Sequence, residues 1–354
     1  MRELYKIVNE IIDSLDFDKI WAGFAKFNFA LYDKDNVCFG DEVIPYDNRF
    51  LGNTSIEYNG EFIAIWYVED PHREDSHILA ADLVHEMFHA FQRTRGERRY
   101  PNDLIMLDYP NNVENYAIRH MENVLLADAI LREELGAKRE SLENYIAMRK
   151  YRENLIGDII KQEYYAETIE GMAEYAGCMA LKQISYEKYL NRVRGFIEDL
   201  TILDNRFFDT RRLSYYAGAV FCMLLSETGT SIRHKIGETE KPLFSLLTES
   251  TRAKKPTINI DIEDLTKKIE KYTNDKKSNF DEFFKTANET VEGNFYICGY
   301  DPMNMIKIDD MILCSHFVML KSNDNVEPIF IKGPIVVNLK KNSTNEVCSF
   351  VKKV

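Results

Sequence analysis

A chain of 354 residues with 45% hydrophobic side chains can fill a large core and one appended unit, which excludes a disordered or fibrous protein. Its formal charge of −13 at pH 7 speaks against nucleic acid or an anionic membrane as the main partner, since either selects a basic surface. No run approaches the roughly 18 consecutive apolar residues of a membrane span, and six scattered cysteines without a C-x-x-C pair suggest neither a disulfide framework nor a thiolate zinc site.

The first stretch, MRELYKIVNEIIDSLDFDKI, alternates charged and apolar residues as an amphipathic helix does. It lacks the apolar run and small-residue cleavage site of a secretion signal, so a cytoplasmic protein with reduced thiols is expected. FNFALYDKDNVCFG reads as two strands around the polar turn Asp33-Lys34-Asp35-Asn36. A second hairpin joins Thr54–Tyr58 to Glu61–Val68 through Asn59-Gly60, the strongest two-residue turn signal. Pro71 and the polar run His72–Ser76 end that strand, and Asp75 or Ser76 is placed to cap the helix that follows.

That helix, Ile78–Thr94, is the centre of the chain. It holds His85-Glu86-Met87-Phe88-His89, the H-E-x-x-H pattern of zinc-dependent hydrolases. Residues four apart on a helix lie one turn above each other, so His85 and His89 can present imidazole nitrogens to a single ion while Glu86 points beside it. The apolar residues Leu79, Leu83, Val84, Met87, Phe88 and Phe91 wrap the rest of the cylinder, as in a helix buried on most sides.

A long helical region is expected from Val113 to about Thr228. Within it Val113, Ala117, His120, Val124 and Ala127 form a stripe, Gly136 ends the first helix, and Ser141 caps the next. His120 reads as a core histidine. A catalytic zinc keeps three protein ligands and an open position, so a third donor is needed. EYYAETIEGMAEYAGCMALKQI offers Glu163, Glu167, Glu170 and Glu174 at helical spacing, and Glu170, Ala173, Glu174 and Gly177 form a low face that admits close approach to the histidine helix. The composition shifts near Thr251, a charged helical stretch runs to about Glu289, and the tail reads as five or six short strands with a structural His316. Three parts follow: residues 1–95, mixed α/β with the H-E-x-x-H helix; 96–255, helical; and 256–354, a helix and a β-rich unit.

These motifs resemble the gluzincin metallopeptidases, the superfamily of thermolysin and aminopeptidase N, in which H-E-x-x-H is completed by a glutamate on a later helix. IEGMAEY is similar to the N-E-G-F-A-x-Y segment of the aminopeptidase N family, which implies Glu170 as third ligand. Glu174 matches a thermolysin-like acid that hydrogen-bonds a zinc-binding histidine. Tyr215-Tyr216-Ala217-Gly218 resembles the Y-x-x-G segment that carries the transition-state tyrosine, implying that role for Tyr215; the thermolysin branch uses a histidine instead, for which His234 is the reserve. The resemblance runs from Thr54 to Leu225 through three short motifs. The stretch between His89 and Glu170 is far longer than in the best-known members, and the G-x-M-E-N segment that holds a free amine is missing, its nearest counterpart being Asn59-Gly60-Glu61.

The resemblance implies an α+β, zincin-like fold, one Zn2+ per chain on His85, His89 and Glu170, and Glu86 as general base for peptide hydrolysis, with Tyr215 assisting. In that superfamily an edge strand binds substrate backbone, which here implies Ala64, Ile65 and Trp66 for a short or unfolded peptide. Without the amine-holding segment, cleavage inside peptides is favoured over removal of the first residue. The competing readings are a peptide-binding or regulatory protein that keeps a zinc fold without turnover, and a zinc hydrolase of a non-peptide amide or an epoxide. An intact Glu86 argues against the first, because zinc binding alone does not require it.

Overall fold

The computed structural model describes residues 1–230, 232, 236–322 and 327–353. Helix α1 (Arg2–Asp13) buries Leu4, Val8 and Ile12, four residues apart, against the long helix α3, and α2 (Phe17–Ile20) is a single turn. The chain then forms β1 (Phe29–Tyr32), β2 (Asn36–Phe39), β3 (Glu42–Pro45), β4 (Thr54–Tyr58) and β5 (Glu61–Tyr67). Both expected hairpins are present. Asn59 and Gly60 have φ of 53° and 84°, the paired positive values of a tight hairpin turn, and Ile56 faces Ile63 across it.

The sheet order is β3-β2-β1-β5-β4, with β1 and β5 parallel and the other neighbours antiparallel. This corrects the expectation for Ala64, Ile65 and Trp66. Strand β5 is interior: Ala64 pairs with Phe29 and Ser55, Ile65 with Ala30 and Thr54, and Trp66 with Leu31, while the Tyr67 N–H donates to Asn53 Oδ1 at 2.8 Å. A strand whose backbone groups are already paired cannot add a substrate strand; the sheet's edge on this side is β4.

Helix α3 (Ser76–Thr94) begins at the Asp75 cap, whose carboxylate accepts from the His77 and Ile78 N–H groups, and packs on β4 and β5. After α4 (Asp103–Met106) come α5 (Val113–Leu131), α6 (Leu135–Ile156), α7 (Ile160–Ile184), α8 (Tyr186–Thr201), α9 (Thr210–Glu227) and α10 (Leu243–Thr248). The break between α5 and α6 differs from expectation. Arg132 leaves the helix in an extended conformation, so no left-handed glycine is needed; Gly136 falls in the first turn of α6, and Ser141 lies inside it, its Oγ donating to Asp128 Oδ2 at 3.1 Å. Val124 of the expected stripe is exposed, because α5 turns Arg119 and Glu122 inward instead.

Those charges belong to a buried network beneath α7. Arg152 holds Glu122 and Glu163, and Arg149 holds Glu163 at 2.9 Å and also Glu167. Tyr109 donates to Glu163 at 2.8 Å. Burial alone would push Glu163 up, but Arg152 and Arg149 more than offset it and hold the carboxyl well below its usual range. The other flanks of α7 are in close backbone contact. A Cβ on Gly177 would stand 3.0 Å from Ala81 O on α3, and one on Gly218 of α9 would stand 2.5 Å from Glu167 O.

Helix α11 (Ile262–Thr286) leads to β6 (Glu289–Tyr300), β7 (Met305–Ile308), β8 (Met311–Cys314), β9 (Phe317–Ser322), β10 (Ile329–Lys332), β11 (Ile335–Leu339) and β12 (Glu346–Lys352), one antiparallel sheet in the order β10-β9-β6-β12-β11-β8-β7. The tail therefore holds seven described strands rather than five or six. The core of this sheet accepts Leu104 and Leu107 from the α4 region, and Lys307 grips both oxygens of Asp108 at 2.6 and 2.8 Å. His316 pairs with Asp301 Oδ2 at 2.8 Å. The architecture is α+β, and no described helix is long and apolar enough to cross a membrane.

Candidate metal centre

Helices α3 and α7 bring three ligand atoms to one point. His89 Nε2 lies 3.1 Å from His85 Nε2 and 3.0 Å from Glu170 Oε2, and the third edge, His85 Nε2 to Glu170 Oε2, is 3.7 Å. A tetrahedral zinc with bonds of about 2.0–2.1 Å spaces its ligands about 3.3 Å apart, which these edges bracket. Among the described residues, this is the group of histidine, cysteine and carboxylate side chains placed to hold a metal ion.

The outer nitrogens decide what the inner ones offer. His85 Nδ1 meets Glu174 Oε2 at 2.9 Å, and His89 Nδ1 meets Gln92 Oε1 at 2.8 Å. Gln92 is itself oriented, since its amide donates to Ile169 O at 3.0 Å, so its oxygen must face His89. Each Nδ1–H is therefore donated outward, and both Nε2 lone pairs aim at the Glu170 carboxylate. Three electron-pair donors turned on one another repel unless a cation or proton lies between them. The donor set of two imidazoles and one carboxylate fits zinc.

The surroundings stiffen this arrangement. Arg211 donates to the second oxygen of Glu170 at 2.6 Å and lies 3.1 Å from Asp103. Arg192 pairs with Asp82 and stands 3.8 Å from Glu174. Burial pushes His85 down, but its contacts with Glu170 and Glu174 outweigh this and hold the metal-free imidazole well above its ordinary value. Burial likewise opposes ionisation of Glu170, yet His89 and Arg211 keep it well below the usual carboxylate range.

Glu86 sits beside the triangle. Both Glu86 and His85 are 7% exposed, and no hydrogen bond among the described residues engages the Glu86 carboxylate. Burial raises its pKa, with His85 and His89 pulling the other way. Tyr215, on α9, stacks its ring on His85 at 5.9 Å between centroids and 9° between planes, beneath the Arg211 guanidinium. Burial and the nearby Glu170 push its phenol well up.

Of the residues expected from sequence, His85, Glu86, His89, Glu170, Glu174 and Tyr215 converge here. Ala64, Ile65 and Trp66 lie in the sheet behind α3, and Glu163 and Glu167 belong to the arginine network. His120 packs edge-on against Phe207, apart from the His85–His89–Glu170 group, and His234 lies outside the described residues. Sequence reasoning missed Gln92, Arg211 and Arg192. For Gln92 a signal existed, three residues after His89 on the same helix face; the arginines reach the site from other helices. No family model, curated protein or solved structure matches this chain, so the reading of the site rests on its own geometry.

Proposed function

We propose that the protein is a zinc-dependent metallopeptidase of gluzincin type with a zincin-like catalytic core. The observation that carries this reading is the convergence of His85 Nε2, His89 Nε2 and Glu170 Oε2, with both Nδ1 protons tied outward and Glu86 left unengaged beside them. A zinc ion held by these three residues supplies Lewis-acid polarisation of a carbonyl and lowers the pKa of water toward about 7. Glu86 accepts the proton of the attacking water and returns it to the leaving amine, a role favoured by its raised pKa. Tyr215 stays protonated for the same reason of burial, and so remains a donor to the developing oxyanion.

The substrate is an extended peptide, short or unfolded, laid along the β4 edge rather than along β5, with main-chain hydrogen bonds supplying affinity. Glu61 is exposed at the hairpin turn and takes a hydrogen bond from Asn28 at 3.2 Å, which suits a turn residue and favours cleavage inside peptides. Glu86→Gln should keep one zinc per chain and the parent melting temperature while losing peptide turnover, and a chelator should silence the parent. Equal turnover in parent and Glu86→Gln, read on a quenched fluorescent peptide library, would remove the reading.

A further inference from the structure

A cavity of about 1030 Å3 lies between the helical layer and the C-terminal unit, and one end of its wall is Arg211, the residue that pairs with Glu170. That end is formed by Asp103 and by Arg211, which pairs with Asp103 and with Glu170. From there the wall runs through Phe208, stacked on Tyr272 of α11 at 4.7 Å, to Lys276, whose ammonium stands 4.7 Å from the Tyr272 ring centroid. The C-terminal unit supplies the roof. Tyr300 lies beside Asp103 and Arg211, and Met303 joins Tyr215 and Tyr216 around a second hollow of about 360 Å3.

The charges in this cavity are unequally satisfied. Arg211 is paired with Glu170 and Asp103, and Lys307 is gripped by Asp108. Lys276 faces only a ring: among the described residues no carboxylate pairs with it, although it is mostly withdrawn from water and burial lowers its pKa. An aromatic face attracts an ammonium without neutralising it, so the Lys276 ammonium itself retains an attraction for an anion, while Asp209, Glu282 and Asp309 line other parts of the wall. A space of this size accepts a short peptide segment, and at its Arg211 end a single side chain separates it from the candidate ligand Glu170.

We propose that this cavity is a distal subsite for the peptide substrate, in which Lys276 binds a carboxylate carried several residues from the cleaved bond. The carboxylate is either the peptide's C-terminus or an acidic side chain. This inference rests on the peptidase reading, and the experiment separates the two.

The zinc-loaded full chain and its Lys276→Met and Lys276→Arg variants are given three pools of quenched fluorescent peptides. The first lacks acidic residues and has a free C-terminus, the second lacks them and is amidated, and the third is amidated but contains aspartate or glutamate. The parent should cleave one or both carboxylate-bearing pools about tenfold more efficiently than the neutral pool, through KM. Lys276→Met should lose that preference while cleaving the neutral pool at the parent rate, and Lys276→Arg should keep it. Preference for the first pool identifies the C-terminus as the source, and preference for the third identifies a side chain. The same preference in parent and Lys276→Met, or none in the parent, overturns this inference alone; no cleavage of any pool overturns the peptidase reading and this inference with it.

Discussion

Gln92 does for His89 what Glu174 does for His85: each accepts the Nδ1 proton and leaves Nε2 free for a metal. The two differ in charge, since a carboxylate raises the basicity of its imidazole more than an amide does. Removing either partner lets its ring rotate or change tautomer, so Gln92→Ala and Glu174→Ala should each weaken zinc binding about 10–100-fold. Titration against a chromophoric chelator reads this directly, and parent-like affinity in both variants would contradict the assignment. Glu174 was legible in the sequence because it lies one helical turn from Glu170 in the same motif. Arg211 was not, because its role exists only once α9 is laid across α7, and nothing in its own neighbourhood marks it.

Close contact between α7 and α9 is what brings Tyr215 over His85. The glycine of the Tyr215-to-Gly218 segment lies against Glu167 and Gly171, where a methyl group has no room. Gly218→Ala should therefore part the two helices, destabilise the fold by about 1–3 kcal/mol, and lower turnover beyond what the lost stability explains. Urea unfolding checks the first effect; a change below a few tenths of a kcal/mol would mean that the helices slide without strain. Elements whose identity is local were readable: the Asn59-Gly60 hairpin, the Asp75 cap and α3 all follow from nearby residues. Pairing order was not, because a strand's neighbours are chosen by the whole sheet, and β5 has the same sequence whether inside or at an edge. The α5 stripe held in part, with Ala117 and Ala127 buried, but Val124 is exposed because the buried face also takes in Arg119 and Glu122.

At the scale of the whole molecule, the candidate metal centre lies beside the C-terminal unit, whose Met303 shares a hollow with Glu174 and Tyr215, a placement no local pattern announced. The proton on His85 should couple to folding and to zinc binding in opposite senses. In the metal-free protein the raised His85 pKa contributes stability that is fully present below the ordinary value of about 6.5 and is lost as pH rises through the raised one. Zinc must displace that proton, so its affinity grows over the same interval. The difference in melting temperature between zinc-loaded and stripped protein should widen from about pH 6 to about pH 8, and a constant difference would show that His85 holds no proton to displace. Helix α7, finally, is clasped by α3 and α9 on its flanks and bound from below through Glu163 and Glu167 to Arg149 and Arg152. It cannot turn about its axis without stranding a buried charge, so Glu170 faces the histidines before any ion arrives. Small zinc domains unravel when their metal is taken away; this protein should not. After chelation, the backbone amides of residues 163–177 should remain among the slowest in the chain to exchange with deuterium, and rapid exchange there would mean that the ion assembles its own binding helix.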